Sequence, residues 1–162
     1  MRIATVNILS NEVLQSADAI CFTSNGIIKA NGRLVMGAGN AKAFRDYFLN
    51  LDRSAAHEVN TNGNKCQIVR SHEKTHNGKV VRIIAFPTKH HWKNPSDLEL
   101  IKKSAIELVA LADELEWKSV YLPPPGCGHG GLDFDTEVKP MLEKIFDSRF
   151  VITFLPKTKR EL

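Results

Sequence analysis

The chain has 162 residues, 43% hydrophobic and 25% charged, with a net charge of +4; that is one domain of ordinary globular composition, able to bury about 70% of its unfolded surface. No run reaches the roughly 18 consecutive apolar residues needed to cross a bilayer, and the opening MRIATVNIL lacks the order of a signal peptide, so a soluble, cytoplasmic protein with no membrane partner is expected.

In chain order, residues 3–9 are β-rich, and 17–23 form a buried strand around Ala-Ile-Cys-Phe. Asn31-Gly32 is a turn pair, and NGRLV reads as part of a hairpin. A helix follows Gly39 over 41–49. Residues 51–64 are polar and end in Asn-Thr-Asn-Gly-Asn, a pattern that predicts a loop. Strands at 66–70 and 79–86 join across a turn at 76–78. Residues 95–116 are the clearest helix: Leu98, Ile101, Ala105, Leu108, Val109, Ala112 and Leu115 recur at helical spacing, with Ser96 and Glu99 placed like a capping box. A short strand at 120–122 runs into three prolines and a glycine cluster. The last helix carries Val138, Met141, Leu142 and Ile145, with Pro140 in an irregular first turn, and a strand at 150–155 closes the fold. Strands alternating with helices predict one α/β domain over 1–162, a mixed sheet with helices on its faces.

Charge and thiols narrow the chemistry. Residues 65–93 hold seven Lys or Arg against Glu73 alone, with His72, His76, His90 and His91 interspersed; the stretch favours anions, or is simply a solvated basic hairpin. Cys21, Cys66 and Cys127 are odd in number and far apart, which suits reduced thiols rather than a disulfide framework. Cys66, His72 and His76 lack paired ligand spacings, so no metal is expected. The terminal KREL at 159–162 resembles a retention signal only superficially.

Two glycine clusters stand where strands hand over to helices: Gly37-Ala38-Gly39, and Gly126 to Gly131. A missing Cβ lets backbone N–H groups approach an oxyanion, and the following helix N-terminus adds about half a positive charge. Two such loops point to a diphosphate. Lys42 occupies the third-glycine position of a dinucleotide fingerprint, and no Gly-Lys-Ser/Thr follows a glycine span, so neither the Rossmann nor the Walker A pattern is present.

These residues resemble a macrodomain, a three-layer α/β/α fold that binds ADP-ribose. Ala17-Asp18-Ala19-Ile20 with Asn25 is similar to the strand and asparagine that open its binding loop. Val35 to Gly39 resembles its first phosphate loop, and Pro125 to Leu132 its second. Phe86-Pro87-Thr88-Lys89-His90-His91-Trp92 with Pro95-Ser96 is similar to the DarG antitoxin branch, whose relatives include the terminal ADP-ribose glycohydrolase. The resemblance implies a cleft for adenine, diphosphate and a distal ribose, with no cofactor. The contact residues it implies are Asn7, Ile8, Asn25, Met36, Gly37, Ala38, Gly39, Gly126, Cys127, Gly128, His129, Gly130, Gly131 and Leu132. The implied reaction is hydrolytic removal of ADP-ribose from thymidine in DNA or, in the related glycohydrolase, from acidic side chains of protein, using the lysine that matches Lys89. The alternatives are an ADP-ribose 1″-phosphate phosphatase, an O-acyl-ADP-ribose deacylase, and a non-catalytic reader. Phe22 stands where the family has asparagine, Asn7 where it has the aspartate that reads adenine, and Gly130 where the glycohydrolase has an aspartate.

Lys89, Asn31 and His129 are the candidate catalytic residues. Cationic neighbours favour a neutral amine at Lys89, a nucleophile or base, while its charged form stabilises developing negative charge. Asn31 would offer an amide to the distal ribose, and His129 an acid, base or phosphate donor. Asp133 either orients a water or caps the last helix. Cys127, near a helix N-terminus, is placed where a thiol pKa can fall, whereas the resemblance gives it a packing role. His90, His91 and Trp92 form an aromatic beside cations, suited to single-stranded nucleic acid or to packing on the long helix.

Overall fold

The computed structural model describes residues 1–76 and 78–157; Asn77, inside the expected turn at 76–78, and the KREL terminus lie outside the described residues. Six strands form one sheet: β1 (Arg2–Thr5), β2 (Ala19–Ser24), β3 (Gln67–His76), β4 (Lys79–Pro87), β5 (Val120–Leu122) and β6 (Phe150–Phe154), in the order β1-β6-β5-β2-β4-β3. Every neighbouring pair is parallel except β3 and β4.

The alternation along β2 explains the layers. Ile20 and Phe22 enter one apolar cluster and Ala19 and Cys21 the other, and all four are fully buried. A strand apolar on both faces needs a cover on each. On the Ile20 side it is supplied by α1 (Asn11–Ser16), α2 (Gly39–Tyr47) and α3 (Leu51–Asn62), through Leu14, Phe44, Leu51 and Ala55. On the other side it is α4 (Leu98–Glu114) and α5 (Lys139–Glu143), through Ile101, Ala105, Leu108 and Leu142. The three-layer α/β/α architecture with a mixed central sheet is the one the sequence predicts. Among the described residues, no helix is long and apolar enough to cross a membrane.

Several local readings are corrected. Residues 51–62 are helical, not a loop: Leu51, Ala55, Ala56 and Val59 face the core, while buried Asp52 is bonded to Arg33 and buried Glu58 to Asn62. The Asn-Thr-Asn-Gly run marks the end of that helix, where Gly63 takes φ +88°. Helix α1 was not evident after β1; it is six residues long and capped by the Ser10 hydroxyl. The long helix begins at Leu98, and its cap is Asp97, not Ser96, with Oδ1 accepting from Glu99 N (3.0 Å) and Leu100 N (3.4 Å). Pro140 does follow an irregular turn: Phe134–Val138 is π-helical, with Val138 N donating to Asp133 O.

The basic stretch is divided by the fold. Lys79 and Arg82 sit at the start of β4, away from its carboxyl end, and pair with Asp18 (3.5 Å) and Glu73 respectively. At the outer edge of the sheet, the N–H groups of Arg70, in β3, and of Cys66, just before it, donate to the Glu58 and Glu107 carboxylates, each at 3.4 Å.

The Asp97 cap yields a stability prediction. The His90 ring, then the Leu100 and Glu99 N–H groups, hold its carboxyl below the usual carboxylate range. A pKa depressed by folding contributes stability above the unfolded value of about 3.9 and loses it as pH falls through the folded one. Asp97→Ala is expected to cost about 1 kcal/mol in urea denaturation at pH 7, with the difference from wild type shrinking toward zero in strong acid.

Candidate functional site

Parallel pairing puts the carboxyl ends of β1, β6, β5, β2 and β4 on one edge of the sheet, the place where ligands bind in α/β folds. There a cleft of about 1240 Å³ opens, lined by residues that leave each of these strands: Val6 to Leu9, Leu155, Pro123 and Pro124, Asn25, and Thr88 and Lys89. Lys29, Lys89 and Lys93 line it, and among the described lining residues there is no carboxylate. Such a cleft favours an anion.

The first loop is braced from within. Asn25 Nδ2 donates to Val35 O (3.1 Å) and its Oδ1 accepts from Ile27 N (3.0 Å), clamping both limbs. Between them, Ile28 and Leu34 form an antiparallel bridge and Gly32 turns at φ +81°, so the hairpin read from NGRLV exists in miniature. Arg33 ties the turn to Asp52 of α3 at 2.6 Å. This anchoring carries Asn31 to the exposed tip, where its Oδ1 accepts from Arg33 N (3.1 Å), and it is not among the residues lining the cleft. Met36, Gly37, Ala38 and Gly39 do line it. Helix α2 starts here with no side-chain cap, leaving its first N–H groups unclaimed by any cap side chain.

The second loop closes on itself through Leu132 N to Gly126 O (3.0 Å) and Gly131 N to Gly128 O (3.4 Å). Gly126, Gly128, His129, Gly130 and Gly131 face the cleft, whereas Cys127 and Leu132 pack behind it against the α4–α5 cluster. Burial, and then the nearby charges of Asp133 and Glu137, push the Cys127 thiol up to about 11, which corrects the expectation of a depressed value and leaves packing as its role. Asp133 is a cap: its Oδ2 accepts from Thr136 N (2.9 Å) and Oγ1 (2.6 Å), and those bonds hold its carboxyl below the usual range. The loops meet, since a Cβ on Gly39 would lie 3.3 Å from the His129 ring.

Lys89 stands at that junction. Its Nζ donates to the carbonyls of Trp92 and His129, each at 3.5 Å. Its backbone is fixed from two directions: its N–H reaches Ser24 O (3.4 Å) and its carbonyl accepts from Asn64 Nδ2 (3.1 Å). Asn64 was hidden in a stretch read as loop. Asn40, Ser24 and Ser96, which do line the cleft, were not among the expected contacts either. Asn40 Oδ1 accepts from Thr23 N (3.0 Å), and the Ser24 and Ser96 hydroxyls are buried with no hydrogen-bond partner among the described residues. At the opposite end are Asn7, whose Oδ1 accepts from Leu9 N (2.9 Å), Ile8 and Phe154. Phe22 lies away from the cleft, its ring 5.6 Å from that of Phe44 in the core.

The model of the Macro domain family matches residues 29–141. Over 66 residues the chain is 39% identical to the DNA ADP-ribosyl glycohydrolase of Thermus aquaticus, covering 41% of this chain but only 18% of that relative's length. The macrodomain of Mycobacterium tuberculosis DarG aligns with a TM-score of 0.72 and 28% identity, over 97% of this chain and 100% of that one. The DarTG protein of Thermosipho africanus in complex with ADP-ribose aligns with a TM-score of 0.66 and 23% identity, over 87% of this chain and 38% of that one.

The second loop is close-packed at one glycine and open at another. A Cβ on Gly130 would fall 2.1 Å from Ser96 Oγ and 2.4 Å from Gly126 O, whereas one on Gly128 meets nothing within 4 Å. Gly130→Ala should therefore lower the melting temperature by roughly 3–10 °C, while Gly128→Ala should leave stability within about 0.5 kcal/mol of wild type. Thermal denaturation of the two variants checks the contrast.

Proposed function

Since this chain belongs to the macro domain family, we propose that it binds ADP-ribose between the two glycine loops and removes it hydrolytically from a modified macromolecule, thymidine-linked ADP-ribose on DNA being the preferred substrate. The observation that carries this reading is the position of Lys89 where the two loops meet, in a cleft whose described lining holds three lysines and no carboxylate. Two relatives, the DNA ADP-ribosyl glycohydrolase of Thermus aquaticus and the Thermosipho africanus DarTG protein in complex with ADP-ribose, support the same substrate class. Three free thiols, two of them buried, fit a reducing cytoplasm.

In this reading the diphosphate lies against the backbone of Gly37 to Gly39 and Gly126 to Gly131, with the uncapped α2 N-terminus adding partial positive charge. Asn7, Ile8 and Phe154 receive the adenine. The distal ribose faces Lys89, whose side chain is aimed by two carbonyls. Acting as a nucleophile, the amine forms a bond to the anomeric carbon as the bond to the base nitrogen breaks, the amine's proton passes to that nitrogen, and water then displaces the amine to release ADP-ribose. Acting as a cation, it stabilises the charge left on the departing base. His129, whose carbonyl Lys89 bonds and whose ring lies against Gly39, is the proton relay in this reading. With Asp133 occupied as a cap and Gly130 lacking a side chain, the reaction relies on the lysine and not on a carboxylate base.

Binding and chemistry are tested separately. In calorimetric titration, ADP-ribose should bind wild type, and Gly128→Glu should abolish binding without loss of fold, because the glutamate projects into open space. Equal binding by both proteins, or none by wild type, rejects the site. Product release from ADP-ribosylated thymidine DNA, ADP-ribosyl-glutamate peptide and ADP-ribose 1″-phosphate then distinguishes glycohydrolase from phosphatase and from reader.

Lys89→Ala should slow single turnover by on the order of a hundredfold or more while changing ADP-ribose affinity much less. Lys89→Arg preserves charge without a titratable amine. A wild-type rate in that variant would leave charge stabilisation as the lysine's role and eliminate the nucleophile.

A further inference from the structure

We propose that Asn40 is a side-chain donor to the diphosphate, held in the first turn of α2 by a bond that fixes which end of its amide faces the cleft. This deepens the reading of the cleft as an ADP-ribose site and rests on it. The arrangement begins with a gap in the sheet. Strand β2 pairs with β4 as far as Ser24 but with β5 only at Ala19 and Ile20. Ser24 turns its carbonyl toward β4, where it accepts from Thr88 N, so Thr23 points its N–H the opposite way. On that side β5 has ended at Leu122, and three prolines follow. A strand N–H left there without an acceptor would cost stability. Asn40 Oδ1 accepts it at 3.0 Å.

Because a backbone N–H only donates, that bond commits the amide oxygen to the strand and turns the Nδ2 group the other way. Nδ2 makes no hydrogen bond among the described residues, and it is not sealed from solvent as the Ser24 and Ser96 hydroxyls are. Asn40 lines the cleft directly after Gly39, beside the uncapped N–H groups of α2. Asparagine suits both tasks. Leucine, of similar volume, would orphan the Thr23 N–H. Aspartate would cap it equally well but bring a negative charge into a cleft whose described lining holds no carboxylate. The amide caps the strand with its oxygen and offers an oxyanion two N–H hydrogens at no net charge. The cleft lysines attract a diphosphate through a field that salt screens, whereas Asn40 recognises the position of its oxygens at contact.

Asn40→Asp isolates the donor, because its carboxylate keeps the acceptor for Thr23 N. Its melting temperature should stay within about 3 °C of wild type, while Asn40→Leu, which loses the cap, should melt lower. Calorimetric titration of the intact protein then reads the donor itself. ADP-ribose and inorganic pyrophosphate should each bind Asn40→Asp at least about 100-fold more weakly than wild type. Asn40→Leu should lose roughly 10- to 100-fold, with the salt dependence of binding unchanged. Adenosine, which carries no phosphate, should lose nothing in either variant, and an equal loss for adenosine overturns the assignment. The two phosphate ligands identify which reading has failed. ADP-ribose binding that Asn40→Asp does not weaken refutes the donor alone. Pyrophosphate binding that depends on Asn40, with no binding of ADP-ribose by wild type, refutes the ADP-ribose reading and leaves the donor standing. Binding of neither by wild type refutes both.

Discussion

Parallel pairing obliges five strands to release the chain at the same edge of the sheet, and the cleft is the space those exits enclose. Its floor is set by backbone bonding between the exits of neighbouring strands: the N–H groups of Thr88 and Lys89 both donate to the Ser24 carbonyl at the end of β2. The lysine is therefore located by the sheet itself, to the tolerance of a ladder hydrogen bond, before any side-chain interaction orients it. From the other side, Asn64 holds the Lys89 carbonyl, and Asp97 N donates to Thr88 O (2.9 Å) where α4 begins. Strand, connector and helix thus converge on two consecutive residues.

Glycine governs what is built above that floor. Gly126 and Gly130 are required by crowding: a Cβ at either would meet Ser96, and one at Gly130 the loop's own backbone as well. Gly39 combines φ +57° with the His129 ring at van der Waals distance from its would-be Cβ. Gly37 and Gly128 are neither crowded nor left-handed, and nothing among the described residues requires glycine there. Their bare backbone is explained by what enters the cleft, so the internal packing and the ligand site use the same residue type for different reasons.

The parts of this molecule written in side-chain periodicity were legible. The apolar repeat of α4 and the two-faced burial of β2 follow from spacing alone, and the glycine loops were readable because two of them stand at strand-to-helix junctions, where one alone reads as easily as a tight turn. Helix α3 was not, because its buried Asp52 and Glu58 look solvent-facing until the fold brings Arg33 to the first and the Arg70 N–H of β3 to the second. Asn31 shows how a local pattern can leave placement open. A turn pair next to a phosphate loop suggests an amide aimed at the ligand, whereas here Arg33 binds Asp52 and the Asn31 amide oxygen accepts from Arg33 N, outside the cleft lining. Asn40, Asn64, Ser24 and Ser96 carried no local signal, since a lone polar residue acquires meaning only from its tertiary neighbours.

The outer margin of the sheet shows a different economy. An edge strand normally offers a row of free N–H groups to any extended chain that drifts past. Here Glu58 and Glu107, from helices on opposite faces of the sheet, reach around to occupy the donors of Arg70 and Cys66, and the β3–β4 register shifts between Ile68 and Glu73. A second copy approaching this margin encounters carboxylates and an irregular backbone in place of a template. This margin is thus disarmed against strand-by-strand self-association, and the sheet can keep its apolar interior strands without propagating into a fibre there.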